Sequence, residues 1–340
     1  MGDVVHTLPA LTDAAKAIPG LRFDWAVDEA FAQIPAWHTN VDTVFPTALR
    51  RWGPNPTGRE FRQFRKELRS RRYDFVVDLQ GEFKSALIAR LARGVRCGYD
   101  ARSVHERGAQ LTYRKKFTVP KGLHSIQRMR RLLGLALGYS YAEENVDYSI
   151  KPARLQPAPL EIPGPFVVFI HSTSWESKNW PEVYWKDLTR TVLGAGFLVV
   201  LPWGDEAERQ RSLRIADGRA GVIVLPQLSI SEKASIISQA VATVGLDTGL
   251  SHIAAALGVP SVTLYGATDP NLCGAVGANQ VRIASDFECV KCHEVRCSYQ
   301  GATEFKPACF VDLGPEDVWK ELMYLTKSST VGSAELYQPV

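Results

Sequence analysis

Three groups of residues have types and spacings that could do chemistry. The first is the run V-G-L-D-T-G-L-S-H at 244–252, followed directly by I-A-A-A-L-G-V-P-S-V-T-L-Y-G-A-T-D-P. An apolar strand ends at Leu246, Asp247 and Thr248 stand where a helix would begin, and small residues precede the apolar helix predicted over 253–257. A helix N-terminus offers unpaired N–H groups and partial positive charge, so a diphosphate would fit over 248–251, with Asp247 facing an uncharged part of the ligand. The D-T-G triplet alone fits an ordinary strand-to-helix turn, with Asp247 or Thr248 as cap, equally well. The second group is Cys289, Cys292, Cys297 and Cys309. A CxxC pair followed by two further thiols suits a tetrahedral structural zinc; four reduced thiols are the alternative. Cys97 and Cys273 read as isolated thiols. The third group is basic: nine Lys or Arg residues lie between 50 and 72, against Glu60 and Glu67. Such a stretch could face phosphates or an anionic membrane surface, or be a solvated helix face.

Parallel sheets flanked by helices are the elements that would position these residues, because β-rich apolar runs alternate with amphipathic stretches along the chain. Strands are predicted over 23–27, 43–45 and 73–79, with helices over 8–17, 59–71 and 84–92. The Pro-rich segment 151–165 breaks the pattern and is the linker candidate. Beyond it strands are predicted over 166–171, 197–202, 221–225 and 242–246, and helices over 181–193 and 206–215. Ser229 and Glu232 form a capping-box pattern opening a helix that runs to 240. The expected organisation is an α/β chain with domains over 1–155 and 156–328 and a tail over 329–340. The C-terminal helix is expected to pack back on the N-terminal domain.

A length of 340 residues predicts about two domains, and 45% hydrophobic with 22% charged residues reads as globular. The formal charge is only +4 and no nucleic-acid partner is expected. No stretch approaches the roughly 20 apolar residues that span a bilayer, and no basic segment leads a long apolar run at the start, which predicts a cytoplasmic protein.

V-G-L-D-T-G-L-S-H with Y-G-A-T-D-P resembles the nucleotide-sugar site of glycosyltransferase family nine, the bacterial heptosyltransferases. M-G-D-V-V-H-T-L-P-A-L-T-D-A, P-G-L-R-F-D-W, F-A-Q-I-P-A-W-H, A-L-R-R-W, D-L-Q-G-E-F-K-S-A-L, H-S-T-S with K-N-W-P-E-V-Y-W, and L-P-W-G resemble further segments of that family, in order from Met1 to Pro270. The resemblance implies a GT-B fold, two Rossmann-like domains facing a cleft. It also implies inverting, metal-independent transfer of L-glycero-D-manno-heptose from ADP-heptose to a Kdo residue of Kdo-lipid A, at the cytoplasmic face of the inner membrane. The alternatives are transfer to the next heptose and, in another class, an inactive nucleotide-sugar or zinc-binding protein.

Residue roles follow from the same resemblance. Asp3 is the expected general base for the acceptor hydroxyl, since an inverting transfer needs one carboxylate opposite the leaving diphosphate. Thr173, Ser174 and Lys178 are expected around the diphosphate, Glu208 on the nucleoside and Leu228 beside adenine. Asp247, Thr248, Gly249, Leu250 and His252 are expected to complete the donor site. Lys178 beside Trp180 could instead be a surface residue covering an aromatic ring. Arg50, Arg51, Lys84, Arg102, Arg107, His124 and Arg128 are expected to take the phosphate and carboxylate groups of the acceptor. Two departures from the family pattern touch this acceptor set: Gly53-Pro54 stands where basic residues are common, and the order H-E-R at 105–107 is unusual. The M-G-D opening matches a loop that in the family follows the first strand. The N-terminal sheet is therefore expected to lack that strand, and the native chain to be about ten residues longer.

Overall fold

The structure, a computed structural model, describes residues 1–53 and 58–334. Contacts divide the chain into two units, Asp3–Arg154 and the residues from Leu155 onward, the latter including Met1–Gly2. Pro54 and residues 335–340 of the expected tail lie outside the described residues.

The N-terminal unit runs α1 (Gly2–Ala17), β1 (Phe23–Asp28), α2 (Gln33–Ala36), β2 (Val41–Thr47), α3 (Leu49–Trp52), α4 (Arg59–Leu68), β3 (Phe75–Val77), α5 (Phe83–Leu91), β4 (Val95–Tyr99), β5 (Lys115–Phe117) and α6 (Ser125–Leu137). Helix α1 starts earlier than the predicted 8–17 and takes in Asp3, which sits in its first turn and not in a loop. A carboxylate there meets the positive end of the helix dipole. The strands form two parallel sheets, β1 with β2 and β3-β4-β5, and among the described residues no strand joins β1 to β3. Strand β3 is shorter than the predicted 73–79 because Asp78 turns the chain: its Oδ1 accepts the backbone N–H groups of Gln80 and Gly81.

The C-terminal unit continues with β6 (Phe166–Ile170), α7 (Glu182–Gly194), β7 (Leu198–Leu201), α8 (Glu206–Ala216), β8 (Val222–Val224), α9 (Ile230–Ile237), β9 (Ala242–Leu246), α10 (Gly249–Ala256), β10 (Ser261–Tyr265), α11 (Pro270–Cys273), β11 (Gln280–Ala284) and α12 (Pro315–Ala334). One parallel sheet holds all six strands in the order β11-β10-β9-β6-β7-β8. Strand β6 shows how an unbroken apolar run serves such a sheet: Val167 and Phe169 enter the core on one face, Phe166, Val168 and Ile170 the core on the other. Each such side chain contributes about 1.5 to 3 kcal/mol by burial. The Ser229 and Glu232 capping box forms as predicted. Helix α12, expected to return to the N-terminal domain, packs on α7, β9 and β10 of its own unit, where Val318, Leu322 and Leu325 join the core of Trp180 and Trp185. It also extends through the first part of the predicted tail, to Ala334.

Candidate functional site

In the C-terminal sheet, β6 and β9 lie side by side, and the strand order reverses between them. Connections leaving a sheet at such a point part to either side and open a crevice at the carboxyl ends of the strands, where ligands of open α/β sheets bind. The loop after β6 carries Thr173, Ser174 and Lys178; the turn after β9 carries Asp247 and Thr248. Lys178 ends a 3-10 turn, Glu176–Lys178, and its Nζ lies 2.8 Å from Asp247 Oδ2 and 4.4 Å from the centre of the Trp175 ring. Thr268 Oγ1 donates to the same carboxylate oxygen at 2.7 Å, His252 Nε2 stands 3.5 Å from Oδ1, and Cys273 Sγ lies 4.0 Å from Oδ2. The side chains of Lys178 and Asp247 are only 15% and 6% exposed, so Lys178 is not the surface cover that proximity to Trp180 allowed. Burial by itself would push the Asp247 carboxyl up, but the His252 hydrogen bond and the Lys178 charge outweigh it and hold the group well below the usual carboxylate range.

Helix α10 begins at Gly249, four residues before the predicted start, with Thr248 at the N-cap position but without a side-chain cap bond. Asp247 is committed to Lys178, Thr268 and His252. Neither side chain therefore caps the helix, while the Thr248 carbonyl accepts the Ser251 and His252 N–H groups at 3.1 and 3.3 Å, so an anion here would be met by the N–H groups of Gly249 and Leu250. Ser251 Oγ instead donates to the Leu246 carbonyl at 2.6 Å and secures the turn from behind.

The remaining donor candidates are engaged differently. Thr173 is half-buried, with its N–H on Asn179 Oδ1 at 3.3 Å, and Ser174 is exposed. Glu208 Oε2 accepts the Gly204 N–H at 2.6 Å while Asp205 caps α8. Leu228 is buried among Leu225, Ile236 and Ile237.

In the N-terminal unit, Asp3 is exposed and its charge reaches the buried Tyr99. Burial above all, together with Asp78 and Asp3 and against Arg128, pushes the Tyr99 phenol up to about 12. Arg128 stacks over the Tyr99 ring at 5.0 Å and donates from Nη2 to the Ser103 carbonyl at 2.6 Å, while its buried Nε finds no acceptor among the described residues. His124 caps α6 through Nδ1 and makes an edge contact with His6 at 5.6 Å. Asp3, Arg128 and Tyr99 thus share one neighbourhood. Arg51 is held by Glu29 and Glu60, which leaves it less available to an acceptor than its place in the sequence suggested. Arg50, Lys84, Arg102 and Arg107 are exposed and form no side-chain ion pair among the described residues.

The four clustered cysteines are neighbours without forming a metal grip. Cys309 is buried in the 3-10 turn Ala308–Phe310, whereas Cys292 is exposed on the preceding irregular loop. Burial first, then Cys289, Cys297 and Cys292, push the Cys309 thiol up to about 12. Among the described residues no three Cys, His, Asp or Glu side chains converge as metal ligands must. One thiol belongs to the core and another to the loop surface, and Cys289, Cys292 and Cys297 all lie close enough to act on Cys309. That loop is pinned elsewhere, by Lys291 N–H to the Gly266 carbonyl and His293 N–H to the Ala267 carbonyl, each at 2.8 Å.

Residues 61–303 match the profile of glycosyltransferase family 9 (heptosyltransferase). The chain belongs to this family. It is 44% identical over 336 residues to lipopolysaccharide heptosyltransferase 1 of Pseudomonas aeruginosa, covering 95% of this chain and 94% of that one. Lipopolysaccharide heptosyltransferase 2 of Escherichia coli is 25% identical over 334 residues, covering 88% and 90%. Among solved structures, E. coli heptosyltransferase WaaC with ADP-2-deoxy-2-fluoro heptose superimposes with a TM-score of 0.79 at 38% identity, covering 95% and 96%. The α/β fold with parallel sheets is the GT-B fold of these heptosyltransferases, and the contrast in identity favours heptosyltransferase 1 over 2. Against this family frame, the sequence reading did not single out Thr268 or Tyr99. Thr268 was signalled only as part of the quoted Y-G-A-T-D-P string; its place on Asp247 appears once the ends of β9 and β10 are side by side.

Proposed function

We propose that this glycosyltransferase catalyses inverting transfer of heptose from ADP-heptose to a Kdo residue of Kdo-lipid A in lipopolysaccharide inner-core assembly, working at the cytoplasmic face of the inner membrane. The observation that carries the donor half is the Asp247 group at the strand-order reversal, beside the N-terminus of α10, where Thr248 makes no side-chain cap. The α10 N–H groups and Lys178 take the diphosphate, whose negative charge grows as the anomeric C–O bond breaks. Asp247 accepts hydrogen bonds from sugar hydroxyls. Asp3 takes the proton from the acceptor hydroxyl as its oxygen bonds to the anomeric carbon on the face opposite the leaving ADP. Exposed Arg50, Lys84, Arg102 and Arg107, with Arg128, supply cations for the acceptor's phosphates and carboxylates.

This division asks for no metal, since cations and helix N–H groups already meet the leaving charge. Among the described residues no helix is long and apolar enough to cross a membrane, which is compatible with peripheral attachment. Incubation with ADP-heptose and either Kdo-lipid A or its singly heptosylated form tests the reading. Turnover with the former is expected, and turnover only with the latter overturns it.

A further inference from the structure

Scattered apolar side chains on a protein surface need no explanation, but a cluster beside several unpaired cations does. The N-terminal unit carries one. Phe83 and Leu87 lie one turn apart on α5 and are 51% and 54% exposed. The 3-10 turn Ala109–Thr112 packs against α5 and carries Leu111, 78% exposed. Gly108, just before this turn, lies so close to the Phe83 ring that a Cβ there would sit 2.7 Å from it, which sets the turn that carries Leu111 beside Phe83 on the same side of the unit.

Charge surrounds the patch unevenly. Lys84 follows Phe83, Arg90 continues the Phe83 and Leu87 stripe along α5, and Arg107 and Arg114 flank the Leu111 turn. All four are exposed, and none makes a side-chain hydrogen bond or ion pair among the described residues. Two carboxylates stand nearby, Glu82 at the N-cap of α5 and Glu106, whose Oε2 accepts the Phe83 N–H at 2.7 Å, so the four cations outnumber them. An apolar centre with a basic rim matches the interfacial region of an anionic bilayer, where apolar side chains enter the acyl boundary while cations meet headgroup phosphates.

We infer that Phe83, Leu87 and Leu111, with Arg90 and Arg114, form the face by which this protein docks on an anionic lipid surface. The inference rests on the proposed membrane-held acceptor and deepens it, because Lys84 and Arg107, candidates for the acceptor's anionic groups, lie within the same rim. Docking here would bring those two cations to the headgroup plane.

The test is flotation of the full-length protein with vesicles of equal parts phosphatidylcholine and phosphatidylglycerol, against vesicles of phosphatidylcholine alone. Wild type is expected to float with the anionic vesicles and to be released by salt. Phe83→Ser/Leu87→Ser/Leu111→Ser is expected to bind at least about tenfold more weakly, and Arg90→Gln/Arg114→Gln about fivefold more weakly per residue removed. Circular dichroism monitors folding, and the charge variant, which disturbs no packing, keeps the test valid if the apolar variant misfolds. Transfer to an acyl-free Kdo acceptor in solution should be unchanged in both. Wild-type flotation that both variants retain overturns the docking face while leaving the membrane-held acceptor standing. Absence of wild-type flotation overturns the docking face too, and the transfer assay then judges the proposed reaction independently. A variant that converts a dimer to a monomer while still floating assigns the patch to self-association and likewise overturns the inference.

Discussion

Replacing Asp247 by Asn keeps the shape of the side chain and removes its charge, which separates two roles that the structure assigns to neighbouring groups. At the 2.8 Å separation of Lys178 Nζ and Asp247 Oδ2, two unit charges attract by about 6 kcal/mol at an effective dielectric constant of about 20. Removing the carboxylate leaves the Lys178 charge largely buried without its partner, so Asp247→Asn should destabilise the ligand-free protein by about 3 to 5 kcal/mol. ADP binding should behave otherwise. A lysine released from its carboxylate can offer its whole charge to the diphosphate, so ADP affinity should stay within about threefold of wild type or rise. Lys178→Ala, which deletes a charge-assisted hydrogen bond of about 1.5 to 3 kcal/mol, should weaken ADP by about tenfold or more. If Asp247 holds sugar hydroxyls, Asp247→Asn should lower turnover of ADP-heptose by about 10- to 100-fold. Calorimetric titration with ADP, steady-state transfer and thermal denaturation of both variants make the comparison. Equal loss of ADP affinity in two folded variants would refute the division of labour, because the carboxylate would then serve only to place the lysine. Unchanged turnover in Asp247→Asn would remove Asp247 from sugar recognition.

Asp3→Ala should reduce transfer by about 100- to 10,000-fold while leaving ADP affinity unchanged, and near-normal turnover would exclude Asp3 as the base. His171 is fully buried, with Nε2 on Ser212 Oγ at 2.8 Å, and burial, aided by Arg211, depresses its pKa to about 3. A depressed base contributes its full stability above the unfolded value near 6.5 and loses it as pH falls, about 2 kcal/mol by pH 5. Denaturation of His171→Gln should therefore depend less on pH between 6.5 and 5 than wild type, and parallel curves would refute the assignment. Among the clustered thiols, Cys292 should react first with a thiol reagent and Cys309 last, following their exposure; equal protection of all four, lifted by a chelator, would show a bound metal. Transfer itself should survive EDTA, with folding followed alongside because removal of a structural metal would mimic a catalytic effect.

The α/β class, most strands of the C-terminal sheet and the strand-turn-helix at 244–252 were legible in the order of the amino acids. Continuous apolar runs such as F-V-V-F-I can be buried on both faces only in a covered parallel sheet, and the local pairing of Ser229 with Glu232 is written in adjacent turns. Local periodicity reports which face a residue takes within its own element; it carries no term for what the element meets. The partners of Asp247 were for that reason invisible before the sheet was assembled: Lys178, 69 residues away, Thr268, 21 residues away, and His252 on the helix that follows meet there because β6, β9 and β10 are adjacent. The same limit applies to Arg51, whose basic surroundings in sequence gave no sign that Glu29 and Glu60 would enclose it. It applies as well to the cysteines, whose spacing gave no sign that Cys309 would be buried in the core while Cys292 stays exposed on the loop.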